Sequence, residues 1–193
     1  MSSRTNGAKV EGSKVEGSIS EIKFPETVSI SENENIVTVS GNLGTTKKDF
    51  TRLLATINIR DKTIFIKTHG NRKKDLAIMN TTKSIINNMI IGVEKGFTYK
   101  LKIIFAHFPI TVRLKGKEVH VENFFGERSP RVSKIVGEGT KVSVISDDIF
   151  VQGPSLEDVS QTAANIESST RVKGKDQRVF LDGIYIYSTH VGL

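Results

Sequence analysis

The segment Tyr99-Lys-Leu-Lys-Ile-Ile-Phe-Ala-His-Phe-Pro-Ile-Thr-Val-Arg-Leu114 lies near the middle of the chain and sets its organisation. In its first part Leu101, Ile103 and Phe105 alternate with two lysines and an isoleucine, which is the period-two pattern of a half-buried strand. Pro109 lacks a backbone N–H, so it marks a strand end or edge, and a second strand is expected beyond it. We therefore interpret this segment as a joint between two halves of the chain.

A short pattern occurs once on each side of the joint. Pro25-x-Thr27-Val28 returns as Pro109-x-Thr111-Val112, and each copy continues into a Val-x-Val pair followed five residues later by glycine. Each copy then runs through further strands into one helix. The sequence therefore predicts an internal duplication in which each half is a small antiparallel β-sheet covered by one α-helix, an α+β fold. Chance similarity of short motifs is the alternative.

Two helices are expected, one in each copy. Residues 72–93 carry apolar side chains at three- and four-residue intervals, typical of an amphipathic helix. Ser155 and Asp158 form a capping-box start for a shorter helix, whose buried stripe is Leu156, Val159, Ala163 and Ile166. Strands at residues 97–105 and 179–187 are expected to close the first and second copies.

These patterns predict four segments. They are a flexible N-terminal extension at residues 1–24, a first α+β repeat domain at 25–107, a second at 108–187, and a C-terminal tail at 188–193. The extension contains a tandem pentapeptide, Lys9-Val-Glu-Gly-Ser13 and Lys14-Val-Glu-Gly-Ser18, with too little apolar content to offset its ordering entropy. It is either a solvated tail or an arm that orders on a partner.

Composition points to a soluble intracellular protein with a phosphate-rich partner. The 193 residues are 37% apolar and 25% charged, contain no cysteine, and show no apolar run near the roughly 20 residues that span a bilayer. The net charge is +7 and the sequence pI about 9.6. Such a basic balance is the electrostatic signature of a polyanionic partner. We expect no membrane and no small-molecule substrate.

The residues offer no sign of catalysis, cofactor or metal. The four histidines are far apart in sequence and form no metal-ligand spacing. The adjacent carboxylates Asp147 and Asp148 stand where a hairpin turn belongs, which explains them better than acid–base chemistry. The phosphate-binding and dinucleotide-binding glycine motifs are missing from the sequence. We therefore expect a protein that is not an enzyme and uses no cofactor.

Basic, glycine-containing loops are the remaining feature, and their residues are similar to a known family. Three motifs carry the resemblance and occur in the same order as in that family. They are His69-Gly-Asn-Arg-Lys-Lys-Asp75, Phe105-Ala-His-Phe-Pro-Ile110 and Lys175-x-x-Arg178-x-Phe180-x-Asp182-Gly183-x-Tyr185. They resemble the eukaryotic branch of the large-subunit ribosomal protein counted sixth in the universal scheme and ninth in the older eukaryotic one. The resemblance runs from about residue 25 to residue 186.

The resemblance implies a structural constituent of the large (60S) subunit. The second domain would bind ribosomal RNA near the sarcin–ricin loop and the stalk base, beside other ribosomal proteins, in cytoplasmic ribosomes assembled in the nucleolus. The candidate RNA contacts are Lys173, Lys175, Arg178, Arg128, Arg131, Lys134 and Arg171. A weaker second contact is expected at Lys47, Lys48, Arg72, Lys73 and Lys74.

Two alternatives stay open. One is an RNA-binding protein acting away from the ribosome, and the other is a protein-interaction module that uses exposed sheet edges. The aromatic residues are expected to fill cores rather than to stack on bases, namely Phe124, Phe125, Phe180 and Tyr185. Phe105, Phe108 and Ile110 of the joint are likewise expected to be mostly buried.

Overall fold

The computed structural model describes residues 18–60, 62–176 and 178–193. Within these residues the chain forms thirteen strands and two α-helices. In the first half they are β1 (Ile19–Lys23), β2 (Ser29–Asn33), β3 (Ile36–Gly41), β4 (Gly44–Asp49), β5 (Ala55–Arg60), β6 (Thr63–Thr68) and α1 (Lys73–Glu94). They continue as β7 (Phe97–Ile104), β8 (Thr111–Lys115), β9 (Glu118–Glu122), β10 (Arg131–Lys134), β11 (Lys141–Ile145), β12 (Asp148–Gly153), α2 (Leu156–Ser169) and β13 (Gly183–Val191).

The predicted α+β duplication is confirmed. The first half contains the antiparallel sheets β2-β3-β4 and β1-β6-β5, and the second contains β8-β9-β10 and β11-β12-β7-β13. Helix α1 packs on β3 and β6, while α2 packs on β10, β12, β7 and β13. Each helix buries its apolar stripe against the sheets of its own half, which produces two hydrophobic cores.

The pairing of β7 differs from the expectation. Residues 97–105 were expected to close the first copy, yet β7 lies between β12 and β13 in the sheet of the second half. Its counterpart in the first half is β1, because each of these strands precedes a Pro-x-Thr-Val pattern and pairs with the strand that leads into the helix. A period-two pattern shows which residues are buried but not which strand is the neighbour. The division of the chain at residue 107 stays a prediction.

The two ends of the chain also differ from the expectation. Residues 1–17 of the predicted flexible extension lie outside the described residues, but residues 19–23 form β1, which is paired with β6 and anchored by the buried Ile22. At the other end β13 begins at Gly183 and continues to Val191, through most of the predicted tail. Both strands contain few buried apolar residues, so their pattern in the sequence is weak.

The joint is more exposed than expected. Ile110 is buried, but Phe105 and Phe108 are 41% and 45% exposed, so their predicted burial is wrong. The chain turns at the surface here, and the ring of Phe108 lies beside Gly126 of the β9–β10 connection. A buried carboxylate, Asp182, accepts a hydrogen bond from the backbone N–H of Ala106 at 3.3 Å. The joint is therefore tied to the segment that precedes β13.

The two halves touch where α1 ends and α2 begins. Gly92 of α1 faces Pro154, and a Cβ at Gly92 would lie 2.0 Å from the Pro154 carbonyl oxygen. Lys48 of β4 forms an ion pair with Glu157 of α2 at 2.5 Å. Close backbone approach and one ion pair thus fix the contact between the halves. Among the described residues, no helix is both long enough and apolar enough to cross a lipid bilayer.

Candidate nucleic-acid interface

The loop between α2 and β13, residues 171–182, is held at both ends. Thr170 follows α2, and its hydroxyl accepts a hydrogen bond from the backbone N–H of Ile184 at 3.0 Å and donates one to the Glu167 carbonyl at 3.0 Å. At the other end Asp182 binds the joint, as described above. Lys173, Lys175 and Arg178 in the loop are all exposed. The loop therefore presents exposed cationic side chains between two fixed ends.

Arg131 makes its contacts within the fold. Its guanidinium forms a fork with the Glu127 carboxylate at 2.9 and 2.6 Å and donates to the backbone carbonyls of Ser169 and Arg171 at 3.0 and 3.2 Å. It also lies 4.2 Å from the ring centroid of Phe124. The Arg131 hydrogen bond lowers the pKa of the Glu127 carboxyl. These contacts tie β10 to the start of the loop, so Arg131 positions the loop rather than reaching outward.

An aromatic cluster supports the middle of the loop. The Lys175 ammonium lies 5.5 Å from the ring centroid of Phe125 and 5.0 Å from that of Phe180, and the two rings meet edge to face at 5.9 Å. Phe125 has a φ of +51°, and its neighbours Asn123 and Gly126 are also left-handed. A bulky residue in this region is rare because its Cβ crowds the backbone. The strained turn places the Phe125 ring beneath the basic loop.

Arg178 is paired with a neighbour on the loop. Its guanidinium donates to both carboxylate oxygens of Asp176, at 3.1 and 2.9 Å. These hydrogen bonds lower the pKa of the Asp176 carboxyl and raise the pKa of Arg178. Because Arg178 is fully solvated, a phosphate can take the place of Asp176 at little cost.

The other predicted contacts lie on the β9–β10 connection, at the end of β10 and at the start of the loop. Arg128, Lys134 and Arg171 are exposed, and Arg171 borders an open groove of about 490 Å³ between the end of α2 and Tyr185. The Lys134 carbonyl accepts a hydrogen bond from Asn165 of α2 at 3.1 Å, which fixes the backbone there. The structure thus brings the β9–β10 connection, the start of β10 and the loop after α2 to one face of the second half.

The sequence of this chain matches one known protein family along most of its length. The family model described as Ribosomal protein L6 matches residues 24–96 and again residues 108–183. The chain belongs to this family. Ribosomal protein L6 is a structural, non-enzymatic component of the ribosome.

Curated relatives agree with the family. The chain is 48% identical over 165 residues to "Large ribosomal subunit protein uL6" of Methanosphaera stadtmanae, covering 86% of this chain and 90% of that protein. It is 46% identical over 170 residues to the protein of the same name from Staphylothermus marinus, covering 86% and 92%. The protein of that name from Thermoplasma volcanium is 45% identical over 173 residues, covering 88% and 94%. All three organisms are archaea.

In this L6-family chain the residues of the predicted second RNA contact lie at two separate positions. Lys47 and Lys48 lie on β4 beside the C-terminal half of α1, near Asn88, while Arg72, Lys73 and Lys74 lie at its N-terminus. At 1.5 Å per residue the helix separates the two groups by roughly 20 Å. They therefore cannot form one contact point. Lys48 also forms an ion pair with Glu157, and Asp75 accepts a hydrogen bond from the backbone N–H of Arg72, the residue before α1.

The prediction that the aromatic residues fill the cores is partly wrong. Phe124 is fully buried, as expected, but Phe180 and Tyr185 are each 39% exposed. The contribution of Phe125 to the loop was missed, since nothing in its sequence context indicates a left-handed turn other than the following glycine. Among the described residues, no group of three or more histidine, aspartate or glutamate side chains is arranged to hold a metal ion.

Proposed function

We propose that this chain is a structural constituent of the large ribosomal subunit that binds ribosomal RNA through the loop after α2. Family membership and the names of the relatives support the assembly. One structural observation carries the RNA contact: Lys173, Lys175 and Arg178 extend into solvent from a loop whose two ends are fixed inside the fold. Ordered cations of this kind bind a polyanion with little loss of conformational entropy.

The mechanism is recognition by charge and shape. Double-helical RNA is contacted mainly through phosphates and 2′-hydroxyls, and lysine or arginine heads displace the counterions around the phosphates. Such contacts fix position and orientation without reading much base sequence. The exposed Arg128, Lys134 and Arg171 extend the contact around the loop, while Arg131 holds the loop in place.

The finer location follows from the family resemblance. We propose that the RNA lies near the sarcin–ricin loop and the stalk base, next to other ribosomal proteins. The resemblance of the motifs to the eukaryotic branch supports assembly in a nucleolus and function in cytoplasmic 60S subunits. The archaeal relatives support assembly into the large subunit, but they do not distinguish a eukaryotic from an archaeal origin of this chain.

Charge reversal of the loop tests the proposed contact. The variant carries Lys173→Glu, Lys175→Glu and Arg178→Glu. The matched control reverses three exposed lysines of the first half, namely Lys23→Glu, Lys62→Glu and Lys67→Glu. We expect the loop variant to be lost from the large subunit while its melting temperature stays close to that of the parent, because its side chains do not belong to the core.

Two measurements read the result. Sedimentation of tagged protein on sucrose gradients gives the fraction in large subunits, and the salt dependence of binding to ribosomal RNA gives the number of phosphate contacts. The loop variant should lower the magnitude of the log–log salt slope by about two to three. Normal incorporation of the loop variant, or equal loss with the control, would exclude the loop as the main contact. Recovery of the parent protein only in ribosome-free fractions would favour an extra-ribosomal protein.

A further inference from the structure

The four-stranded sheet of the second half has one covered face and one open face. Helix α2 covers the first, where Leu101, Ile149, Val151 and Ile184 are fully buried. Side chains alternate along strands, so their neighbours point to the opposite face. The residues on that open face are Thr98, Lys100, Lys102, Ile104, Lys141, Ser143, Ile145, Asp148, Phe150, Gln152, Tyr185, Ser188 and His190.

The strand register aligns basic and aromatic residues across the open face. Phe150 of β12 stands opposite Lys100 of β7, whose ammonium lies 5.7 Å from the centroid of the Phe150 ring. Lys102 of β7 stands between Asp148 and Tyr185. The ion pair of Lys102 with Asp148 is long, at 3.5 Å. Three lysines against a single aspartate give the face a positive balance.

A shallow hollow lies on this face. It has a volume of about 560 Å³, and its lining includes Lys100, Phe150, Gln152 and His190. Ligand sites typically measure about 300–1,000 Å³, so a nucleotide can be accommodated. The floor is ordered, because Thr98 accepts a hydrogen bond from the Gln152 amide at 3.2 Å and donates one to the Gly192 carbonyl at 2.6 Å.

The chemistry of this surface fits unpaired RNA. An aromatic ring offers a stacking platform for a base, lysines neutralise phosphates, and the amide and imidazole groups can hydrogen-bond to base edges or to 2′-hydroxyls. An acidic protein segment would use the lysines but would leave the ring without a matching group. We propose that the open face of the β11-β12-β7-β13 sheet binds a single-stranded RNA segment, with one base stacked on Phe150 and its phosphates on Lys100 and Lys102.

This surface is distinct from the loop contact. Helix α2 lies on the covered face of the sheet and separates most of the open face from Arg131 and the start of the loop. The two surfaces meet only at the edge strand β13, where Tyr185 also lines the groove beside Arg171. The inference shares with the proposed function the ribosomal setting, but it involves other residues and a different form of RNA. The two contacts can therefore fail independently.

Binding of a labelled oligonucleotide tests the inference. The probe is a mixed-sequence, eight-nucleotide single-stranded RNA, measured by fluorescence anisotropy with the full chain. Phe150→Ala should weaken binding about 5- to 150-fold, the range for loss of one stacked base. Phe150→Leu keeps the apolar bulk and should weaken binding nearly as much. Lys117→Ala, in the turn between β8 and β9, should change it less than about twofold, and circular dichroism checks that every variant is folded.

Three further measurements separate the outcomes. With 4-thiouridine in the probe, crosslinks are expected on the peptide that contains Phe150. Crosslinks only in residues 171–180, or unchanged affinity of Phe150→Ala, would overturn the inference and leave the loop contact standing. The inference would also be overturned if polyglutamate competed with the RNA and its affinity were unchanged by Phe150→Ala. That result would favour an acidic protein partner. Loop charge reversal that blocks subunit incorporation without moving these crosslinks would support both sites.

Discussion

Replacing Arg131 with alanine should destabilise the second half and loosen the loop that we propose binds RNA. The substitution removes the two-pronged ion pair with Glu127, two hydrogen bonds to the carbonyls of Ser169 and Arg171, and the contact with the Phe124 ring. These two carbonyls lie at the C-terminal end of α2 and at the start of the loop. The loop would therefore lose the connection that holds its first residues to β10.

The magnitude follows from the partial burial of these groups. The Arg131 side chain is 26% exposed and that of Glu127 41%, so their ion pair alone is worth about 1 kcal/mol at most. Hydrogen bonds from a charged donor contribute about 1.5–3 kcal/mol each in buried settings, but neighbouring contacts do not add fully. We expect a loss of about 2–4 kcal/mol. For a chain of this size that corresponds to a fall in melting temperature of roughly 4–16 °C.

Urea unfolding and RNA binding together test the interpretation. Arg131→Lys keeps the charge but not the planar fork, so it should recover less than half of the lost stability. Arg131→Ala should weaken RNA binding while leaving the salt slope unchanged, since a lost phosphate contact would lower the slope by about one. A stability loss below about 1 kcal/mol would contradict the positioning role, and a slope reduced by about one with normal stability would show that Arg131 contacts RNA directly.

Gly92→Ala should destabilise the chain by about 1–3 kcal/mol in urea unfolding, because the new Cβ would collide with the Pro154 carbonyl. A gain in stability, as helix propensity alone suggests, would contradict this. Asp176 has a lowered pKa in the folded chain, so its pair with Arg178 should persist above about pH 4 and be lost as the pH falls through the folded pKa. An NMR titration should give a pKa below 3.8, and Arg178→Ala should raise it only part of the way to normal, because the backbone N–H of residue 178 still donates to the carboxylate. Thr170→Val removes the acceptor of a buried N–H of β13 and should cost about 1–3 kcal/mol, with faster hydrogen exchange at that amide. Unchanged exchange would exclude this role.

The sequence was informative where local patterns carry the structure. The three- and four-residue apolar spacing placed the first helix within one residue of its observed bounds, and the Ser155 cap placed the start of the second. The repeated Pro-x-Thr-Val pattern indicated the duplication, and the quoted motifs indicated the family. These features depend on residues that are close together in the chain, so a single sequence displays them.

The partners of each strand and the role of each cation could not be determined in this way. Strand β7 has the same alternation whether it pairs with the first or the second half, and only the fold shows that it lies between β12 and β13. Arg131 and Lys173 look alike in the sequence, yet one is held by four groups of the fold and the other extends into solvent.

For this protein, the sequence by itself determined the helices, the duplicated α+β plan and the family. The tertiary structure decided which basic residues face outward, which are bound within the fold, and that Lys100 and Phe150 share an open face. The physical reason is that burial and pairing depend on contacts between residues far apart in the chain. The segment at residues 99–114 illustrates both, because its alternation predicted a strand and its contacts assigned that strand to the second half.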